Sequence, residues 1–181
     1  DCFRDRSPSR WLGDVYKRQI MAGSILQVNV KSQVPGERGL PKYAVKHSYA
    51  TMQGLDGDYN KFRQTKKKGN KDMAILVYPM ETIQELNQEG WPVQPGDVGE
   101  NLTVEGYAHD SFKVGQQYIA GDATIEISLE CDPCTNLGLL PYVGQKHTTT
   151  FIKTMLHRRG WYARITKDGK IKPGDIFKLV Q

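Results

Sequence analysis

From Ser24 onward, short stretches alternate apolar and polar residues with period two, and two others keep a helical period. Ser24–Val30 alternates and predicts a strand. Tyr43–Met52 alternates again, with Tyr43, Val45, His47, Tyr49 and Thr51 on one face. Ala74–Tyr78 is a short apolar strand, and Asn101–Glu105 is a strand entered from the turn Pro95–Glu100. Tyr118–Ala120 and Ala123–Glu130 predict a hairpin about Gly121-Asp122. In its second strand Ala123, Ile125, Ile127 and Leu129 point inward. Trp161–Thr166 and Asp175–Val180 are strands joined by a loop. Met80, Ile83 and Leu86 recur at helical spacing before Gly90, which predicts a helix over Met80–Gln88. A second helix is predicted over Thr148–Arg159, with Phe151, Ile152, Met155 and Leu156 inward and Gly160 as its terminator. Lys31–Lys42 and Gly54–Asn70, rich in Gly, Pro, Asp or Lys, read as long loops.

About eight short strands, separated by turns rather than helices, define a mainly β domain with a few helices, of the α+β class. The missing crossover helices exclude a doubly wound parallel sheet. Closing the strands into a barrel removes the edges they would otherwise expose.

Composition narrows the setting. The 181 residues suit one compact domain. No apolar run approaches the roughly 20 residues of a membrane-spanning helix, so an integral helical membrane protein is excluded. Three cysteines make no disulfide framework, which points to a reducing, cytoplasmic compartment. Residues 1–20 have neither period nor an apolar signal region, and SPSRWLGDVYKRQ resembles translated cloning-linker sequence. They are expected to be a foreign or disordered tail, with the domain running from Met21 to Gln181. The formal charge of +5 shrinks without that tail, because five basic and three acidic residues leave a balance of 20 against 17. Neither nucleic acid nor membrane is then expected as a partner. Cys2 belongs to the tail, so Cys131 and Cys134 remain for chemistry.

Cys131-Asp-Pro-Cys134 directly follows the predicted hairpin, and several readings are open. With His147 the pair has the spacing of three zinc ligands, but His157 stands too far along to complete a two-Cys, two-His finger. A thioredoxin-like dithiol needs βαβ crossovers that the pattern lacks. A nucleophilic or sulfur-carrying thiolate needs nearby cations or N–H groups, and Lys146, His147, Arg158 and Arg159 follow in sequence. A thiolate can also ligate a soft metal such as molybdenum. Against these stands a pair of buried structural thiols. In Pro95–Asn101 two glycines bracket an Asp and lead into Glu100-Asn101, which is either an anion-facing loop or an ordinary turn. Arg63, Lys66, Lys67, Lys68 and Lys71 form a basic stretch that is either solvated or faces a phosphate or pterin.

GDVGENLTVEG (Gly96–Gly106), Pro133-Cys134 and RRGWYAR (Arg158–Arg164) together resemble the MOSC domain, named for the C-terminal domain of molybdenum-cofactor sulfurase. GLPK (Gly39–Lys42), GLDGD (Gly54–Asp58) and KPGD (Lys172–Asp175) are similar to further family segments, in the family's order. The resemblance runs from Gly23 to Leu179, and the small stand-alone bacterial type is the nearest kind. It implies a compact MOSC-type β-barrel with a cleft. It implies that Cys134 is the family's cysteine, either a sulfur carrier holding a persulfide or a ligand to the molybdenum of a molybdopterin cofactor, with Cys131 auxiliary. Gly99, Glu100 and Asn101 would shape the pocket of an anionic small molecule, and Arg63, Arg158 or Arg159 would meet its phosphate. The implied partners are a cysteine desulfurase or a molybdoenzyme. Pyridoxal phosphate enters only through a separate sulfurase, because this chain is too short to hold that domain. Many stand-alone members carry His-Gly-Gly before the AILVY-like strand. Lys67–Asp72 has no histidine there, so no role for it is carried over. The rival functions are a barrel that only binds a ligand or partner, and a thiol–disulfide protein that uses both cysteines.

Overall fold

The computed structural model describes residues 22–180. The expectations for residues 1–20 and for a start at Met21 lie outside the described residues. The strands are β1 (Gly23–Val30), β2 (Tyr43–Val45), β3 (Ser48–Thr51), β4 (Gly54–Leu55), β5 (Ile75–Pro79), β6 (Leu102–Glu105), β7 (Gln117–Ala120), β8 (Ala123–Glu130), β9 (Trp161–Lys167), β10 (Gly169–Ile171) and β11 (Ile176–Leu179). The α-helices are α1 (Lys61–Lys66), α2 (Met80–Gln88) and α3 (Gly144–Thr154).

The main sheet runs β11-β7-β8-β9-β5-β6-β1-β2, and β1 also pairs with β11, Gly23 opposite Phe177. Seven strands thus close into a barrel, with β2 appended to β1. β5 and β6 are parallel, with α2 lying in the connection between them. A small sheet, β10-β3-β4, flanks the barrel.

Two cores explain the pattern. Alternate residues of β1, β6, β7, β8, β9 and β11 fill the barrel, among them Ile25, Val104, Tyr118, Ile125, Ile127, Ala163 and Phe177. The second core lies outside the barrel, where α2, a 3-10 turn over Thr135–Leu139 and α3 bury Ile83, Leu86, Leu137, Leu140, Phe151 and Met155 against Tyr78. β5 is buried on both faces, with Val77 in one core and Tyr78 in the other. That is why its sequence is a continuous apolar run rather than an alternation.

Several boundaries differ from the sequence reading. The segment Tyr43–Met52 is two strands, because β2 pairs with β1 whereas β3 pairs with β10 in the other sheet. Its aromatic face is the outer one: Tyr43 and Tyr49 are exposed, while Ser48 and Ala50 are buried. The segment Gly54–Asn70 contains β4 and α1, the latter capped by the Asn60 side chain, which accepts from the Arg63 N–H. α3 begins at Gly144 and ends at Thr154, so Leu156 lies past the helix and is exposed. The turn that replaces its last residues carries Arg159 inward. β10 occupies the middle of the expected β9–β11 loop.

Candidate functional site

β8 delivers the cysteines. Ala123, Ile125 and Ile127 point into the barrel as expected, but the β8–β9 register shifts between Ile127 and Leu129. This irregularity turns the strand end, so Leu129 leaves the core and faces a cleft. The Cys131 N–H then donates to the Gly160 carbonyl at 2.9 Å, which ties the cysteine loop to the start of β9. Gly160 has φ of 100°, and a Cβ there would stand 2.8 Å from the Val77 carbonyl oxygen, so this close approach requires glycine.

The cleft has a volume of about 1220 Å³ and opens between the Lys31–Lys42 segment, α1 and the cysteine loop. Seven of its lining residues are Lys or Arg and three are Asp or Glu, so its field favours an anion. Cys131 and Cys134 both line it, but Cys131 is buried and Cys134 exposed. Burial pushes the Cys131 thiol up, opposed by the Arg159 charge and a hydrogen bond with Tyr162.

The three expected arginines part company. Arg159 is 5% exposed and lines the cleft, and its Nε and Nη1 are buried with no hydrogen-bond partner. Arg63 does not meet the cleft. Its guanidinium is spent on backbone carbonyls, with Nε on Asn70 (2.8 Å), Nη1 on Gln53 (2.5 Å) and Nη2 on Gly69 (3.3 Å). Arg158 lies outside the cleft, paired with Glu89 at 2.8 Å and Glu85 at 3.3 Å by the end of α2. Both guanidinium groups are thus held by partners of their own, and neither lines the cleft.

The Gly-rich loop builds the wall rather than the chemistry. Gly99 lines the cleft with φ of 82°, and a Cβ there would strike Leu40 Cδ2 at 2.4 Å. Glu100 is fully buried. Its Oε1 accepts from the Gly96 N–H (2.6 Å) and the Thr103 hydroxyl (2.9 Å), while Oε2 has no partner. Burial raises its pKa, opposed by those N–H and hydroxyl donors and by Arg159. Asn101 is a buried staple: its amide donates to the Asn29 carbonyl (3.1 Å) and Asp58 Oδ2 (2.9 Å), and its oxygen accepts from the Leu76 N–H (3.1 Å).

Sequence reasoning passed over two residues of this wall. Lys42 Nζ donates to Asp58 Oδ2 at 2.6 Å, and Lys31 Nζ to the Pro41 carbonyl at 2.8 Å, both lysines being buried. Burial lowers the pKa of each, and Asp58 opposes this at Lys42. The GLPK and GLDGD segments contained the signal, since they hold Lys42 and Asp58. His147 is exposed on α3 with its ring near Trp91, and among the described residues no three His, Cys, Asp or Glu gather into a metal-binding group.

A closed, mostly antiparallel barrel with a basic, thiol-lined cleft defines the class that the motifs implied. The MOSC domain profile matches residues 64–178, and the chain belongs to the MOSC domain family. Among curated proteins it is similar to the uncharacterized protein YflK of Bacillus subtilis (strain 168), with 26% identity over 113 residues, 62% of this chain and 50% of YflK. The chain thus spans about half the length of that relative. Among solved structures, YiiM from Geobacillus stearothermophilus superposes with a TM-score of 0.68 at 26% identity, over 88% of this chain and 75% of YiiM. The YuaD protein from Bacillus subtilis gives 0.73 at 17% identity, over 89% and 97% of the two chains, a likeness of fold. Among the described residues no helix is long and apolar enough to cross a membrane.

Proposed function

We propose that this MOSC-domain protein is a sulfur carrier, in which Cys134 accepts a persulfide sulfur inside a cleft built for an anionic ligand. The observation that supports it is an exposed thiol sharing one cleft with a buried guanidinium whose Nε and Nη1 have no partner. A carrier thiol must be reached by its donor and its acceptor, and Cys134 is open to both. A thiolate or persulfide carries negative charge, which Arg159 and the surrounding lysines offset. Cys131, buried behind it, is the auxiliary thiol. A cysteine desulfurase is the natural donor partner and a molybdoenzyme the natural acceptor, in the cytoplasm.

The cleft's volume and charge favour a second reading, in which it holds a molybdenum cofactor. The residues fit such a group chemically: Cys134 offers a soft ligand for molybdenum, and Arg159 offers free donors for an anionic phosphate. When bound, the cofactor supplies a redox-active metal. The chain's own part is to present the thiol and neutralise the anion.

Incubation with a cysteine desulfurase and cysteine tests the carrier reading by mass spectrometry. Wild type and Cys131→Ser are expected to gain one sulfur mass, and Cys134→Ser none. No uptake by wild type would sink the carrier reading and leave the cofactor, which metal and pterin analysis of protein from its native host detects.

A further inference from the structure

We infer that the small-molecule sulfur donor of this site is a sulfane-sulfur oxoanion of the thiosulfate class, held by Arg159 while Cys134 takes its outer sulfur. The inference rests on the carrier reading and adds a small-molecule donor beside the desulfurase of that reading. Three buried cations line the cleft, and two are satisfied within the chain: Lys42 by Asp58, and Lys31 by the Pro41 carbonyl and Glu37. Arg159 is different. It is 5% exposed, Nε and Nη1 have no partner, and no described carboxylate forms an ion pair with it. Glu100, whose charge acts on this arginine, turns Oε1 to Gly96 and Thr103 instead. A buried guanidinium left unpaired is strongly unfavourable, so the arrangement calls for an anion from outside the chain.

The surroundings of Arg159 narrow the choice of anion. Cys131, Cys134 and Tyr162 line the same cleft as Arg159, so an anion held there shares it with the two thiols. A planar guanidinium matches an oxoanion through charge-assisted N–H donors. A sulfur transfer to Cys134 also needs a leaving group that departs with an electron pair. Thiosulfate supplies both requirements in one molecule. The Cys134 thiolate attacks the outer sulfur, and a bond forms between Sγ and that sulfur. The sulfur–sulfur bond of thiosulfate breaks, and its electron pair leaves with sulfite. Cys134 is left as a persulfide anion, total charge is unchanged, and no oxidant or reductant enters. Arg159 stabilises the charge that gathers on the departing sulfite. A protein donor such as a desulfurase hands over sulfur with a thiol as leaving group and makes no such demand on Arg159.

The experiment compares two donors on the full chain, thiosulfate and a cysteine desulfurase with cysteine, by following the added sulfur mass with time. Thiosulfate is expected to load wild type and Cys131→Ser but not Cys134→Ser. Arg159→Gln should load from thiosulfate about a hundredfold more slowly, the usual scale for losing one donor to a developing anion, and should slow far less with the desulfurase, where the departing group is a thiol and Arg159 acts only on the Cys134 thiolate. Loading of wild type by the desulfurase but not by thiosulfate overturns this inference and leaves the carrier reading intact. Equal thiosulfate loading of wild type and Arg159→Gln overturns the role of Arg159. Loading by neither donor overturns the carrier reading and this inference together. Should Arg159→Gln fail to fold, wild type decides: at constant ionic strength, sulfate must slow thiosulfate loading and leave desulfurase loading unchanged, and absence of that competition overturns the proposal.

Discussion

Cys131 and Cys134 stand three positions apart, yet one is buried beside Arg159 and Tyr162 and the other is open to solvent. Burial keeps the Cys131 thiol protonated at neutral pH, and a protonated, inaccessible thiol is a poor nucleophile. Iodoacetamide at neutral pH is therefore expected to modify Cys134 first, and Cys131 only after denaturant is added. Peptide mapping by mass spectrometry reads the order, and equal rates in the native protein would contradict it. His109 makes a second residue-level case. Its Nε2 accepts from the Gly160 N–H at 3.1 Å, and its carbonyl accepts from Trp161 Nε1 at 2.9 Å, so it pins the peptide that follows Arg159. Burial lowers the His109 pKa below its ordinary 6.5, with Glu130, Asp110 and Glu85 opposing and Arg158 adding to the fall. The unfolded chain then binds the proton more tightly, so stability rises with pH in that window. The contribution of neutral His109 is complete above pH 6.5 and is lost as pH falls through the lowered folded value. Thermal melts from pH 8 down to about pH 5 should show a steeper loss in wild type than in His109→Gln, since glutamine does not titrate near the imidazole range.

β8 and the segment Tyr43–Met52 show what alternation reveals and what it hides. In β8 the apolar set fills the barrel, and Ile127→Ala is expected to cost roughly 2–5 kcal/mol in urea unfolding. Glu126 lies on the other face, half-buried, with Arg164 at 2.7 Å and Gln117 at 3.2 Å. Its replacement by Ala is expected to cost about 1 kcal/mol or less, because such partly solvated pairs contribute little. The reverse order of costs would place the strand one residue out of register. In Tyr43–Met52 the same alternation misleads, since the small residues Ser48 and Ala50 face inward and the tyrosines outward. α1 was hidden for another reason. It has six residues and no apolar period, and Arg63 anchors it by bonds to backbone carbonyls. Carbonyls are present at every position, so sequence does not mark which arginine will find three of them. The motifs that carried the resemblance reach the cleft through Lys42, Gly99 and the cysteine loop. They did not separate Arg159, whose Nε and Nη1 are unpartnered, from Arg63 and Arg158, which are held by partners of their own.

At the scale of the whole molecule, the barrel seam and the cleft are built from different residues. The seam joins β1 to β11, and Phe177 beside it stacks on Tyr118 with ring centroids 4.8 Å apart and packs against Tyr107 and Phe112. None of these four aromatics lines the cleft. Phe177→Ala is expected to cost roughly 3–5 kcal/mol of stability, while the folded fraction should load sulfur on Cys134 at the wild-type rate. Slower loading at equal folded population would show that seam and cleft are coupled. The seam has a topological consequence as well. Gly23 lies opposite Phe177 in an antiparallel pair, so the first described strand begins beside the end of the last described one. A turn of a few residues from Val180 to Gly23 would make them one hairpin, and the backbone could be opened instead beside the exposed Val114. Such a circular permutant is expected to fold to the same barrel and keep Cys134 reactive, as judged by circular dichroism and iodoacetamide labelling. The same geometry lets the domain be spliced into the middle of another polypeptide as a self-contained insert, with its cleft left open to whatever the host delivers.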